Sequence, residues 1–185
     1  MTSSPAHDPR LPRLWDALDE ERMIELLGDR LPMVRCRPCY VRYKPATSCL
    51  IQYEVTLGLP NGDVIETTAH ITMYADDRGR NRADSNRMGR LLERATRYAP
   101  ELTGRHATYL PHLSGLVQIF PVDYDLRPLV RVADPASMAK VWSRSLPPDT
   151  GTVSHERPHL VRYKPGRKAL FLFDLDHGAH DRLYA

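Results

Sequence analysis

The sequence predicts an α+β fold in which a mainly antiparallel sheet packs against one helix. Bulky and β-branched residues concentrate in three successive segments separated by turn-type residues, a pattern typical of antiparallel strands. The next segment, residues 83–98, has apolar side chains at helical spacing, and two short strand-like segments follow it. This order of elements favours the α+β class.

The first half of the chain justifies these elements one by one. Residues 14–27 have apolar side chains at helical spacing, and Gly28 is a natural stop for that helix. Pro38 predicts that the first strand lies at an edge of the sheet or carries a bulge. The pair Asn61-Gly62 favours a hairpin turn between the second and third strands. The three strands are predicted over residues 34–43, 49–57 and 64–74.

The second half begins with a polar, charged loop predicted over residues 76–82. Pro100 ends the helix that follows, because the residue before a proline disfavours helical backbone. Asp134-Pro135 is suited to a helix start. The remaining elements are strands at 108–110 and 116–122, helices at 126–130 and 135–143, a linker at 146–154, a hairpin at 159–163 and 169–175, its exposed turn at 176–181, and an opening strand at 183–185.

An internal repeat sets the domain organisation. Residues 37–45 and 157–165 have the same sequence except at two positions, with a constant offset of 120. The preceding helices match at an offset of 115, as in Asp19 and Asp134. A period this long exceeds that of a solenoid, whose units run roughly 20–50 residues. We therefore predict a disordered lead at 1–18, a first domain at 19–130, a helical and proline-rich connector at 131–156, and the first hairpin of a second, truncated copy at 157–185.

Composition bounds the classes of function. Hydrophobic residues make up 42% of the 185 residues and charged residues 26%, which is ordinary for a globular protein. A net charge of +3 permits an anionic ligand but is far from a nucleic-acid-binding signature. No apolar run reaches the roughly 18 residues of a membrane span. Three cysteines, an odd number, do not suggest a disulfide framework. We expect a cytoplasmic protein without a membrane partner.

The segment 161–170, followed by Leu183-Tyr184-Ala185, resembles aminoglycoside-phosphotransferase-like small-molecule kinases, whose fold is that of protein kinases. Residues 116–126 also resemble the strand of that family that runs into the connection between lobes. The resemblance implies ATP- and magnesium-dependent transfer of a phosphoryl group to a small hydroxylated acceptor. It further implies that the turn after the first strand covers the nucleotide phosphates, which assigns cofactor binding to Lys164, Gly166, Arg167 and Lys168.

This chain departs from the family in ways that limit the expectation. The first copy has no lysine in its third strand, and its first turn, Ala46-Thr47-Ser48, is not rich in glycine. The first copy is therefore expected to be a scaffold rather than an ATP site. A catalytic loop, with its aspartate and its magnesium-binding asparagine, does not occur in the sequence. We predict no catalytic or metal-binding residue in the chain, and no tight binding of ATP or magnesium by this chain alone.

Other interpretations of the basic segments stay open. Residues 164–168 place three cations around a glycine-containing turn, which either holds phosphate or is an ordinary solvated hairpin turn. As an alternative to a phosphotransferase, the whole chain is interpreted as a non-catalytic binding module whose two similar basic hairpins hold an anionic partner. A less favoured alternative is RNA binding. Residues 78–82 are interpreted as a solvated cationic run without an aromatic platform. Cys36 and Cys39 have redox spacing, but a strand follows them instead of the required helix N-terminus.

Overall fold

The central element is a five-stranded antiparallel sheet, in a computed structural model that describes residues 8–59, 61–147, 154, 156–174 and 182–184. The α+β class and the antiparallel sheet are confirmed. The strand order is β1-β2-β3-β5-β4, so β1 and β4 form the edges. The strands are β1 (Met33–Lys44), β2 (Ser48–Gly58), β3 (Val64–Tyr74), β4 (Ala107–Leu110) and β5 (Gly115–Ile119).

The first strand confirms what Pro38 predicts. β1 is an edge strand, and its register against β2 shifts between Pro38 and Tyr40. Proline has no backbone N–H to donate to a ladder, so it is tolerated at such an irregular edge position. β2 is paired on both sides and alternates in burial from Ile51 onward, as expected of a strand with one face against a core.

The described residues include five α-helices beside the sheet. Two of them begin at aspartates that lie 115 positions apart in the sequence. Asp19 Oδ1 accepts a hydrogen bond from the Arg22 amide at 2.8 Å, and Asp134 Oδ1 accepts one from the Ala136 amide at 3.2 Å. Capping at Asp19 explains why the predicted helix over 14–27 is in fact two pieces. The helices are α1 (Glu20–Leu27), α2 (Arg78–Ala83), α3 (Asn86–Tyr98), α4 (Leu129–Ala133) and α5 (Pro135–Ser145).

Residues 8–18 differ from the expected disordered lead. Leu11 is 3% exposed and Ala17 is fully buried, both within the main core, and Asp16–Leu18 forms a single 3-10 turn. Burial of these apolar side chains compensates the entropy lost on ordering the backbone. Residues 1–7 of the predicted lead lie outside the described residues.

The prediction of a loop over residues 76–82 is wrong, because Arg78–Ala83 forms α2. Its arginines stack on tyrosines from other elements: Arg78 and Arg82 lie over the Tyr74 ring, with the guanidinium carbon 5.1 and 5.3 Å from its centre. Gly79 packs so closely that a Cβ there would lie 3.1 Å from the Tyr109 ring. Stacking on Tyr74, which directly precedes the helix, and packing against Tyr109 of β4 therefore hold a helix that lacks an apolar pattern of its own.

A second, three-stranded antiparallel sheet follows, with order β6-β7-β8. Its strands are β6 (His159–Lys164), β7 (Lys168–Asp174) and β8 (Arg182–Tyr184). The predicted hairpin is confirmed, whereas most of the linker at 146–154 and the turn at 176–181 lie outside the described residues. None of the described helices is long and apolar enough to cross a membrane.

The second hairpin shares a core with the elements that precede it. Phe171 and Phe173 of β7 are each 2% exposed. The Phe171 ring lies 6.1 Å from that of Phe120, which follows β5, and Phe173 lies 6.0 Å from Trp142 of α5. This shared cluster places the turn between β6 and β7 against the end of β5.

Candidate functional site

The turn between β1 and β2 closes on an aspartate from the N-terminal segment. Asp8 Oδ2 accepts hydrogen bonds from the Tyr43 hydroxyl at 2.7 Å and from the Ala46 amide at 2.9 Å. Ala46 has a φ of 55°, in the left-handed region. The hydrogen bond from Tyr43, and next that from Ala46, lowers the pKa of the Asp8 carboxyl. Asp8 is therefore held as a carboxylate at the base of the first turn.

The turn between β6 and β7 closes on Asp123 in the same manner. Asp123 Oδ2 accepts hydrogen bonds from the Tyr163 hydroxyl at 2.8 Å and from the Gly166 amide at 2.7 Å. Gly166 has a φ of 67°, close to that of the corresponding Ala46. Each turn thus uses one carboxylate oxygen to join a tyrosine and the left-handed residue three positions later.

The sequence interpretation missed both aspartates, although a signal for them exists. Asp8 and Asp123 are 115 positions apart, the offset that already relates Asp19 to Asp134. Leu11 with Leu126 and Leu14 with Leu129 continue the same offset. Extending the comparison upstream of residue 19 would have included both carboxylates.

Asp123 is a buried carboxylate with a complete set of donors. It is 1% exposed, and its Oδ1 accepts from the Asp125 and Leu126 amides at 2.9 Å each. Four donors therefore converge on one side chain, two from its own loop and two from the β6–β7 turn. Hydrogen bonds of this number are what allow a charged group to remain in a buried site.

A chain of hydrogen bonds extends from this carboxylate into the sheet. The Tyr124 amide donates to Gln118 Oε1 at 2.7 Å, which fixes the orientation of the Gln118 amide. Gln118 Nε2 must then donate to His70 Nε2, 2.9 Å away. The His70 proton is consequently on Nδ1, which faces the Tyr163 hydroxyl oxygen at 3.4 Å, while Tyr163 donates to Asp123.

Burial keeps the other members of this network neutral. Desolvation lowers the pKa of His70, which is 2% exposed, and outweighs the opposing effect of the Asp123 charge. Burial, and next the Asp123 carboxylate, raises the pKa of Tyr163 well above its usual range. A protonated His70 would also present a second donor to Gln118. The network is therefore a structural joint between the sheet and the second hairpin.

The lowered pKa of His70 predicts a stability that depends on pH. The folded state binds the His70 proton less readily than the unfolded state. The contribution of neutral His70 to the free energy of unfolding is therefore fully present above the unfolded pKa of about 6.5. It is lost as the pH falls below that value. A single such group changes the free energy of unfolding by at most about 1.4 kcal/mol per pH unit. Urea denaturation at pH 5 to 8 should show this loss, and His70→Gln should reduce its slope. An unchanged slope in that variant would exclude His70 as the cause, leaving His106, whose pKa burial also lowers.

The four residues assigned to cofactor binding, Lys164, Gly166, Arg167 and Lys168, lie in the β6–β7 turn or at its two ends. Lys164 pairs with Lys168 across the hairpin, and both Arg167 and Lys168 are exposed. The Gly166 amide, however, is engaged by Asp123. A Cβ at Gly166 would lie 3.6 Å from the Arg42 guanidinium and 3.8 Å from Asp125 Oδ2, so β1 adds a fourth cation beside a carboxylate. Contact with an anion here would therefore come from side chains rather than from the amide of Gly166.

Comparison with protein-family models, curated proteins and solved structures finds no match. Function is accordingly inferred from geometry and from the sequence. The environment of Cys36 does not favour redox chemistry. Burial raises the pKa of its thiol to about 12, whereas the reactive form is the thiolate. Within the part of the chain that the structure describes, no group of three His, Cys, Asp or Glu side chains is arranged to hold a metal.

Proposed function

We propose that this chain is the N-terminal part of an ATP- and magnesium-dependent phosphotransferase that acts on a small hydroxylated acceptor. In this proposal the first sheet is a duplicated, kinase small-lobe-like scaffold, and the second hairpin begins the nucleotide-binding copy. The observation that carries it is the matching pair of closed turns. Asp8, Tyr43 and Ala46 in the first correspond to Asp123, Tyr163 and Gly166 in the second.

The differences between the two turns support a division of roles. The first turn continues from its lysine as Pro45-Ala46-Thr47-Ser48, whereas the second continues as Pro165-Gly166-Arg167-Lys168. The second copy thus adds two cations and a glycine while it keeps the closing aspartate. Arginine and lysine side chains stabilise the charge on phosphates, which is the main task of a protein in phosphoryl transfer. The nucleotide accordingly binds through Lys164, Arg167 and Lys168.

The same comparison makes the alternative, a non-catalytic module with two equivalent basic hairpins, the weaker candidate. Equivalent binding would require similar charge at both turns, yet the first has only Lys44 where the second has three cations. The amide at the centre of each turn is also occupied by an aspartate. Two unequal turns fit one scaffold copy and one nucleotide-facing copy better than two copies of one binding site.

The test measures transfer from radiolabelled ATP to a panel of aminoglycosides and sugars. We expect the natural gene product that contains this sequence to catalyse transfer, and the 185-residue chain alone to show none. In the gene product, Arg167→Gln with Lys168→Gln should lower kcat/KM for ATP at least tenfold. Lys44→Gln in the first turn should change it less than twofold. A gene product without ATP-dependent transfer overturns the proposal, and turnover by the 185 residues alone overturns the scaffold assignment.

A further inference from the structure

One face of α3 is a row of arginines that the overall charge conceals. Arg87, Arg90, Arg94 and Arg97 recur at intervals of three and four residues, so they fall within an arc of about 80°. Glu93 is the only acidic residue of this helix. The helix therefore carries as much net positive charge as the whole chain, whose formal net charge is +3.

A groove of about 420 Å³ lies between this face of α3 and α4, and its volume suits a small ligand. The residues just before α4 complete the wall opposite α3. Five of the seven residues that line the groove are arginines, and the other two are Leu91 and Pro128. The arginines are Arg87, Arg90, Arg94, Arg127 and Arg131.

The basic surface continues beyond this groove. Arg94 and Arg131 also line a neighbouring cavity of about 320 Å³ together with Arg97. Arg131 lines a third cavity, of about 340 Å³, with Lys140 and Arg144 of α5. The only carboxylate among these linings, Asp134, is occupied by the Ala136 amide and the Ser137 hydroxyl at the start of α5.

The guanidinium groups of the main groove have no carboxylate partner within the described part of the chain. Among the described residues, no ion pair involves Arg90, Arg94, Arg127 or Arg131. Arg87 is oriented by the Tyr124 ring, with its guanidinium carbon 4.7 Å from the ring centre. Like charges gathered in one concave site repel each other, and a bound anion would relieve that repulsion.

We propose that the groove between α3 and α4 binds a multiply charged phosphate anion, of the size of a triphosphate chain. The planar guanidinium matches the oxygens of phosphate in a bidentate geometry, and five of them suit several linked phosphates better than a single carboxylate. The lining contains no aromatic ring on which a base could stack, which favours a phosphate chain over single-stranded nucleic acid. None of the residues that line this groove belongs to the Lys164–Lys168 turn, and the proposal does not depend on the proposed phosphotransferase.

The test is calorimetric titration of the 185-residue protein with sodium triphosphate at 50 and 200 mM NaCl. We expect binding that weakens at the higher salt concentration, because screening reduces attraction between charges. Arg90→Gln with Arg94→Gln should lower the affinity at least tenfold, and Arg127→Gln with Arg131→Gln should do the same from the opposite wall. The matched control is Arg35→Gln with Arg37→Gln, which removes two exposed arginines of β1 and should change the affinity less than twofold.

Three outcomes would overturn the proposal. The first is an absence of triphosphate binding, and the second is an equal loss in the β1 control. The third is tighter binding, by tenfold or more, of a 20-nucleotide DNA that depends on the same α3 arginines, because the groove would then be a nucleic-acid site. Circular dichroism of each variant establishes that the fold is retained, since exposed Arg→Gln changes have little effect on stability.

Discussion

Replacing Asp123 with alanine is expected to lower the free energy of unfolding by about 2–4 kcal/mol. The change removes the acceptor for four hydrogen bonds, of which the one from Tyr163 is buried. A buried donor left without a partner costs about 1–3 kcal/mol, whereas the three amides are only partly buried and can bind water instead. Urea denaturation followed by circular dichroism measures the loss. Hydrogen exchange at the Gly166 amide should accelerate in parallel.

Two variants separate this effect from a simple change of charge. Asp125→Ala removes a carboxylate two residues away, whose partner is Arg82 in a partly exposed ion pair at 2.8 Å. Such pairs contribute at most about 1 kcal/mol, so this control should remain close to the wild type. Asp123→Asn should be intermediate, because its oxygen can still accept from one pair of amides. Equal stability of Asp123→Ala and Asp125→Ala would show that the joint contributes nothing.

The regular elements of this fold could be predicted because their signals are local. The alternation of apolar residues along β2 and the Asp134-Pro135 pair at the start of α5 each lie within a few positions. Helix α2 was missed because it has no apolar pattern and its arginines stack on Tyr74 and Tyr109, of which Tyr109 lies on a strand that the sequence does not mark as a neighbour. Local propensity cannot report a stacking partner from another strand.

The contacts between site residues show the same limit over longer separations. Asp123 and Gly166 are 43 positions apart, and only the packing of the second hairpin brings them together. The arginine groove was concealed differently. A net charge of +3 is a sum over the whole chain, in which all acidic residues except Glu93 lie outside α3 and α4 and leave these two helices basic. Spatial segregation of charge, which decides what a surface attracts, is absent from composition.

The second hairpin is joined to the first sheet by two kinds of interaction that should act together. The polar joint fixes the β6–β7 turn against Asp123, and the aromatic cluster fixes β7 against Phe120. Hydrogen bonds supply direction, whereas apolar burial supplies most of the free energy. Because both interactions join the same two parts, we expect unfolding in a single cooperative transition.

The aromatic half of this joint is tested by Phe171→Ala, which should destabilise the protein by about 3–5 kcal/mol through lost burial and a cavity. Leu170→Ala is the matched control, since Leu170 is the adjacent residue of β7, is 36% exposed and should cost less than about 1 kcal/mol. Fluorescence of Trp142, measured in a Trp15→Phe background, reports directly on the cluster because its ring lies 6.0 Å from Phe173. We expect Phe171→Ala to shift the Trp142 emission to the red and to lower the urea midpoint. If both variants leave the emission and the midpoint unchanged, the second hairpin does not share a core with the first sheet in solution.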